Sequence, residues 1–231
     1  VTRAVRKRLH GIPLAYITGR APFYGRSFVV TPHTLIPRPE TERLVEEALR
    51  VMKGPLKEKK ASILDLGTGS GCIAASLTLE GPACKMTALD HSKDALGVAR
   101  KNFSLLGLGK KIRIQKGRFF GSFHGKKALW DIIVTNPPYI PSADIARLAR
   151  EVRSEPKLAL DGGRQGLDAI ETILKESPRY LKPGGWLLIE IGKGQSKKLA
   201  KKWAADPRYA SFGFEKDPNG IERILIARVH G

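Results

Sequence analysis

From Ser62 onward, short apolar runs alternate with longer segments whose apolar residues recur every three or four positions. The short runs are typical of buried β-strands and the longer segments of helices that bury one face. Strands that alternate with helices are joined by right-handed crossovers and form a mainly parallel sheet with helices on both faces. The last two apolar runs follow each other with no helix between them, so we expect an antiparallel pair at one edge. The pattern therefore predicts an α/β, doubly wound fold whose mainly parallel sheet has an antiparallel C-terminal edge.

The same patterns place the individual elements. Strands are predicted at 63–66, 86–89, 112–115, 131–135, 186–191, 209–214 and 221–229, and helices at 72–79, 92–106, 167–180 and 196–204. Upstream, apolar runs on both sides of Gly25 predict a β-hairpin within 22–36, and one-sided apolar spacing predicts a helix that follows Thr41 and stops at Gly54-Pro55. We expect 1–21 to be a basic helix end and linker, 22–60 to lead into the core, and 61–231 to form the α/β domain.

The composition excludes several classes of protein. Hydrophobic residues make up 42% of the 231 residues and recur throughout, which excludes a disordered chain. No apolar stretch approaches the roughly 20 residues of a membrane span, so we expect a cytoplasmic protein with no membrane partner. Cys72 and Cys84 cannot form a disulfide framework, and no Cys/His cluster has metal-ligand spacing. We interpret both cysteines as small core residues and expect no metal.

The formal net charge is +19, and the positive charge is unevenly distributed. No acidic residue occurs between Asp94 and Asp131, although this stretch contains nine basic residues: Arg100, Lys101, Lys110, Lys111, Arg113, Lys116, Arg118, Lys126 and Lys127. A second acid-free run contains Lys193, Lys197, Lys198, Lys201 and Lys202. Such an excess attracts acidic partners or nucleic acid over long range. The alternative is a solvated, highly charged surface, since no aromatic residues are interleaved with the lysines.

A glycine-rich turn follows the first predicted strand of the α/β domain. Its residues are Gly67, Thr68, Gly69, Ser70 and Gly71. In doubly wound sheets, ligands bind at the carboxyl ends of the strands, and glycines let the backbone turn tightly and approach the ligand. Cys72 stands where the dinucleotide fingerprint requires its third glycine, so that fingerprint is not satisfied. Asp90 ends the next strand, where a carboxylate can accept both ribose hydroxyl protons. Together these features predict a nucleoside-bearing cofactor, and S-adenosylmethionine fits them better than NAD.

The fourth strand of the domain, 131–135, runs directly into Asn136, Pro137, Pro138 and Tyr139. This strand is expected beside the first, which places Asn136 at the reactive end of the cofactor. A planar amide or amino nitrogen is a poor nucleophile, and acceptors aimed at its N–H bonds hold it and raise its electron density. The Asn136 side-chain oxygen and the Pro137 carbonyl can be two such acceptors, and the prolines shape the loop in advance. Tyr139 can supply a flat wall for a planar group. A plain turn is the alternative, but a turn requires no aromatic residue.

Through these motifs and others, nearly the whole chain resembles the HemK-type protein-glutamine methyltransferases, which methylate the glutamine side-chain amide in the Gly-Gly-Gln loop of peptide chain release factors. Further matching segments are 13–19 (PLAYITG), 35–42 (LIPRPETE), 155–163 (EPKLALDGG) and 190–192 (EIG). Adenine-N6 DNA methyltransferases share Asn-Pro-Pro-Tyr alone, whereas the segment 37–42 is far more specific. The resemblance implies a monomer with a release factor as its protein partner and with S-adenosylmethionine as cofactor.

By position, the resemblance implies that Gly67 to Gly71 line the methionine part of the cofactor and that Asp90 holds its ribose. Phe119 takes the place of an aromatic residue beside the adenine, and Asn136 to Tyr139 hold the target glutamine. Arg38 and Glu42 are expected to organise the pocket wall, with a purely stabilising role as the alternative. The Glu155-Pro156 segment is expected to shape the substrate channel, with a structural loop as the alternative.

Two features depart from the family pattern. Arg118 stands where the family usually has an acid, which puts a contact to the adenine amino group in doubt. The family also carries an N-terminal helical domain that helps to dock the release factor, and we expect only its last residues in 1–21.

Three other functions compete with release factor methylation. Glutamine methylation of a ribosomal protein would suit the positive charge, but that relative usually has Cys where this chain has Gly67 and Ser where it has Pro39. An adenine-N6 nucleic-acid methyltransferase must extrude its base and usually carries a recognition domain, for which 231 residues leave little room. Nucleic acid is therefore not the expected substrate. A non-catalytic binding module would not require both the cofactor and the target motif.

Overall fold

The computed structural model describes residues 2–231, so Val1, the first residue of the predicted N-terminal helix end, lies outside the described residues. Two short helices, α1 (Thr2–Leu9) and α2 (Leu14–Thr18), lead into a two-stranded antiparallel sheet, β1 (Arg20–Phe23) and β2 (Arg26–Val29). These strands form the predicted hairpin. The division of the chain into domains at 21 and 60 stays a prediction.

Seven strands form the main sheet, in the order β5-β4-β3-β6-β7-β9-β8. They are β3 (Ser62–Leu66), β4 (Lys85–Asp90), β5 (Ile112–Lys116), β6 (Trp130–Thr135), β7 (Leu181–Glu190), β8 (Tyr209–Lys216) and β9 (Glu222–Val229). Strands β3 to β7 pair in parallel, while β9 is antiparallel to both β7 and β8. The predicted α/β, doubly wound sheet with an antiparallel C-terminal edge is confirmed.

Helices cover both faces of this sheet, because each face is apolar and must be removed from water. One buried cluster joins the sheet to α3 (Pro39–Lys53), α4 (Cys72–Glu80) and α5 (Lys93–Leu105), and the other joins it to α7 (Asp168–Tyr180) and α8 (Ser196–Trp203). Cys72 is buried in the first cluster and the half-buried Cys84 packs against it. None of the described helices has both the length and the apolarity that crossing a membrane would require.

Five elements differ from the sequence-based expectation. Helix α3 begins at Pro39, ahead of the predicted start after Thr41, because proline is well accepted at the first helical position. Strand β7 begins at Leu181, although Lys182 to Gly185 looks like a turn, because Leu181 pairs with Trp130 and the Gly184 amide donates to the His230 carbonyl over 2.7 Å. Between β6 and α7 the chain forms three unpredicted short helical segments: Ser142–Arg147, α6 (Arg150–Arg153) and Lys157–Ala159.

Candidate active site

A cavity of about 780 Å³ opens at the carboxyl ends of the parallel strands β3, β4 and β6. Most of the predicted site residues line it: Gly67, Thr68, Gly69, Ser70, Asp90, Phe119, Asn136, Pro137 and Pro138. Gly71 and Tyr139 are not among the lining residues. Arg38, Thr41, Arg118 and Pro156 also line the cavity, so segments from six parts of the chain meet there.

The glycine loop turns on backbone conformations that favour glycine. Gly69 has φ +54°, and a Cβ built there would meet only open space, which leaves the backbone accessible to a ligand. Gly71 has φ +83°, and a Cβ there would lie 2.6 Å from the Phe103 ring. Gly69 therefore permits close approach of a ligand, whereas Gly71 permits close packing of the loop against α5.

A buried carboxyl group, Asp65, lies beneath this loop. Its Oδ2 accepts hydrogen bonds from the Thr68 hydroxyl over 2.6 Å and from the Ala74 amide over 3.1 Å. Burial raises the pKa of Asp65 to about 7, and the charge of Asp90 acts in the same direction. Asp65 thus ties the loop to the first turn of α4, a role that its place in the motif alone does not reveal.

Asp90 meets the loop from the end of β4. Its Oδ2 accepts from the Gly69 amide over 3.0 Å, and its Oδ1 accepts from the Ser92 amide over 2.9 Å. Each carboxylate oxygen has two acceptor sites, so each has one beyond its backbone bond, although His91 Nδ1 lies 3.5 Å from Oδ1. Asp90 is positioned by backbone N–H groups and can still accept from a pair of ribose hydroxyls.

Phe119 follows β5 and lines the same cavity with a positive φ of 47°, which is uncommon for an aromatic residue. The Arg118 guanidinium lies over the Phe119 ring, 5.6 Å from its centroid. Arg118 therefore stacks on Phe119 and gives this wall of the cavity positive charge, where the family pattern has an acid.

Asn136 is held by a residue of α3. Its Nδ2 donates to the Thr41 hydroxyl oxygen over 3.0 Å, and Thr41 is itself buried. Among the described residues no donor reaches the Asn136 side-chain oxygen or the Pro137 carbonyl oxygen. Both predicted acceptors are therefore available to a ligand.

Tyr139 does not form the flat cavity wall that we expected. Instead, its hydroxyl donates to Glu190 Oε1 at the end of β7 over 3.1 Å, and its carbonyl accepts from the Gln195 side chain over 2.9 Å. Burial raises the pKa of Glu190 to about 6, against the hydrogen-bonding effects of Thr41 and Tyr139 and the charge of Arg223, which lower it. Glu190 lies behind both Asn136 and Tyr139, and the motif Glu-Ile-Gly alone gives no sign of this position.

A second loop closes the cavity beside Asn136. The Ile36 amide donates to Glu155 Oε2 over 2.9 Å, and Arg38 forms an ion pair with the same buried carboxylate. Glu42 does not line the cavity and accepts instead from the Tyr24 amide over 2.7 Å, which fixes the hairpin on α3. Arg38 and Glu155 thus join two walls of the cavity, while Glu42 braces the scaffold.

The cavity fits a nucleoside-bearing group. A loop with open space at Gly69, a braced carboxylate at Asp90 and an aromatic ring at Phe119 lie on its wall, and its volume exceeds that of a single amino acid. Within residues 2–231, no three His, Cys, Asp or Glu side chains are grouped so that they could hold a metal ion.

Comparison with known proteins gives the class of this fold and site. The family model "Methyltransferase small domain" matches residues 43–160. Among solved structures, a methyltransferase from Pyrococcus furiosus superposes with a TM-score of 0.64 at 18% identity, covering 100% of both chains. The catalytic domain of human Mettl16 superposes with a TM-score of 0.68 at 16% identity, covering 90% of this chain and 78% of that one. The fold is that of a methyltransferase, and the matched family model is a methyltransferase domain.

Comparison with curated relatives identifies the family within this class. A release factor glutamine methyltransferase of Geobacter sulfurreducens is 41% identical over 226 residues, which are 97% of this chain and 76% of that protein. One from Neisseria gonorrhoeae is 38% identical over 226 residues, covering 98% of this chain and 80% of that protein. The chain belongs to the release factor glutamine methyltransferase family.

Proposed function

We propose that this enzyme transfers a methyl group from S-adenosylmethionine to the side-chain amide nitrogen (N5) of a glutamine, in the Gly-Gly-Gln loop of a peptide chain release factor. The observation that carries the proposal is the pair of unpartnered acceptors, the Asn136 side-chain oxygen and the Pro137 carbonyl, at the mouth of a nucleoside-sized cavity. Family membership supports the protein substrate.

The cofactor side of the site is assigned to the loop residues 67–70, to Asp90 and to Phe119. Asp90 accepts the ribose hydroxyls, the loop approaches the methionine part, and the Phe119 ring lies beside the adenine. When bound there, S-adenosylmethionine supplies an electrophilic methyl group. The positive charge of Arg118 on this wall argues against an acid-type contact to the adenine amino group.

The target side depends on how acceptors act on a planar amide. As the nitrogen takes the methyl group, the methyl–sulfur bond of the cofactor would break and S-adenosylhomocysteine would leave, and the nitrogen would then lose one N–H proton to solvent. Positive charge grows on the nitrogen before that proton is lost, so its N–H bonds donate more strongly than they do in the ground state. The Asn136 oxygen and the Pro137 carbonyl therefore stabilise the transition state more than the bound glutamine, which lowers the barrier. They also hold the nitrogen in line for the displacement, and misalignment would slow the reaction.

Thr41 makes Asn136 selective for this role. The amide group of asparagine has one donor end and one acceptor end, and Thr41 receives the donor end over 3.0 Å. The acceptor end is then left for the glutamine. Glu190 accepts from the Tyr139 hydroxyl over 3.1 Å and so holds the loop that carries Asn136.

The proposal is tested by offering radiolabelled S-adenosylmethionine with purified release factor, with the same factor carrying alanine at its loop glutamine, with ribosomes and with duplex DNA. We expect label only on the release factor that keeps its loop glutamine, and a mass increase of one methyl group on that glutamine. Label on ribosomal protein or DNA at a higher rate than on the release factor would contradict the proposal.

A further inference from the structure

A row of basic side chains lies along the amino edge of the sheet, opposite the cavity. Each strand that enters the sheet from this edge has a basic residue at its start: Lys60 for β3, Lys85 for β4, Lys111 for β5, Lys127 for β6, Arg179 for β7 and Arg208 for β8. All six residues are exposed. Because β8 and β7 are both antiparallel to β9, β8 starts at the same edge as the parallel strands. We call these six residues the amino-edge row.

The row extends from one side of the sheet to the other, and only β9, between β7 and β8, contributes no member. Neighbouring strands lie about 4.8 Å apart, so seven strands span roughly 30 Å. Three members of the row, Lys127, Arg179 and Arg208, line one shallow groove together with His230. Lys85 pairs in register with Ser62, the first residue of β3, which brings it beside Lys60.

The charge of the row is largely uncompensated. Arg208 pairs with Asp206 over 2.7 Å, whereas within residues 2–231 the other five members form no ion pair. Asp131, the acid at the start of β6, is already bound by Lys182 over 2.6 Å. In addition, Lys60, Lys111 and Lys127 each follow a second exposed lysine. Lysines at helix C-termini are favoured by the helix dipole, but Lys60 and Lys127 do not end helices, so this effect does not explain the row.

The chemistry of the row favours a polyphosphate over a protein partner. Lysine is depleted from the cores of protein interfaces, which are instead rich in aromatic and apolar residues. The two helices that end here, α4 and α5, each expose one large apolar side chain, Leu79 and Leu105. Two separate leucines do not form the apolar core of such an interface. The row contains no aromatic side chain on which single-stranded bases could stack. We propose that the amino-edge row binds the phosphate backbone of a double-stranded nucleic acid, without reading its sequence, on the side of the sheet opposite the active-site cavity.

The proposal does not depend on the proposed function, and its test uses binding alone. The probes are labelled RNA and DNA duplexes of about 20 base pairs, roughly two helical turns, together with a single strand of the same length and a poly-glutamate peptide. The variant is K60Q/K111Q/K127Q. The matched control is K193Q/K197Q/K198Q, which removes the same charge from exposed lysines beyond the carboxyl end of β7. Fluorescence anisotropy is measured between about 50 and 200 mM salt.

We expect the row variant to bind duplex at least about tenfold more weakly at low salt, with the slope of log affinity against log salt reduced by about 2 to 3. The control is expected to bind like the parent, and K60R/K111R/K127R to restore binding. Methylation of a release factor should be the same in all four proteins. Equal losses in the row variant and the control, or binding of poly-glutamate or single strand as tightly as duplex, would overturn the proposal. Failure of the arginine variant to bind while its thermal unfolding matches the parent would overturn it as well.

Discussion

The two halves of the active site are held in different ways. On the cofactor side, the carboxylates of Asp65 and Asp90 bond to groups 3, 9 and 21 residues away along the chain. On the target side, Asn136 is held by Thr41 across 95 residues, and Tyr139 is held by Glu190 across 51. The cofactor half is therefore built almost within one βαβ unit, whereas the target half exists only when distant segments are packed together.

Because the two halves are held differently, a substitution in one half should affect cofactor affinity and a substitution in the other should affect kcat. A cofactor half braced by its own backbone N–H groups should keep its affinity when the target half is altered. The target half uses single side-chain contacts to fix the orientation of one amide, so its failure should appear in kcat. Each of the following predictions tests this separation, from the largest expected effect to the smallest.

Asn136→Ala should lower kcat by about 10²–10³, as removal of a preorganised polar group at a reacting centre does. The dissociation constant of S-adenosylmethionine should change by no more than a few-fold, because the cofactor half remains intact. Single-turnover methylation of a release factor at saturating cofactor measures the first effect and calorimetry the second. Asn219→Ala, at an exposed turn, is the control. A rate within a few-fold of the parent would remove Asn136 from the mechanism.

Asp90→Ala should weaken S-adenosylmethionine binding by about 1.5–3 kcal/mol, the usual contribution of hydrogen bonds to a charged group. Because the change lies in the cofactor half, kcat at saturating cofactor should fall much less than affinity. Titration calorimetry measures the effect against Asp94→Ala, an exposed acid on the first turn of α5. Unchanged affinity in Asp90→Ala would refute the assignment of the ribose contact.

Thr41→Val should lower kcat about tenfold, the equivalent of one hydrogen bond of roughly 1–1.5 kcal/mol, since the Asn136 amide would lose the partner that fixes its orientation. Thr41→Ser keeps the hydroxyl and should recover most of the rate, although it loses the γ-methyl group that valine keeps. Both are compared by single-turnover rate and by urea unfolding. If the serine variant is as slow as the valine variant, Thr41 acts through packing and not through its hydroxyl.

Asp65→Asn should change how stability depends on pH. Burial raises the pKa of Asp65 to about 7, above its ordinary value near 4, so the folded protein holds this proton more tightly than the unfolded chain does. As the pH rises from about 4 to about 7, the parent's free energy of unfolding should therefore fall relative to that of the variant, by at most about 1.4 kcal/mol per pH unit. Above about pH 8 the difference should be constant. Urea unfolding of both proteins across this range measures it, and a difference independent of pH would contradict the role of burial.

Much of this architecture could be predicted from the sequence because its causes are local. Alternating apolar runs and one-sided helices indicate where strands and helices lie, and general crossover rules indicate how they connect. These two were enough to predict the α/β sheet and its antiparallel edge. The glycines of the loop and the acid at the end of β4 were also identified, since a turn with positive φ and a strand-terminal carboxylate each leave a signature at one position. The start of β7 at Leu181 was not predicted, because a Pro-Gly-Gly segment resembles a turn unless its partner strand is known.

The sequence by itself determined several of the groups that line the cavity: residues 67–70, Asp90 and Asn136 with its prolines. Only the tertiary structure decided the orientation of their side chains, because that orientation depends on hydrogen-bond partners that are remote in sequence. Thr41 of α3 sets the orientation of Asn136. Glu190 of β7 accepts the hydrogen bond from the Tyr139 hydroxyl. Glu155 pairs with Arg38 across the cavity. An amide or a hydroxyl has no preferred direction of its own, and packing supplies one by placing a single donor or acceptor within reach.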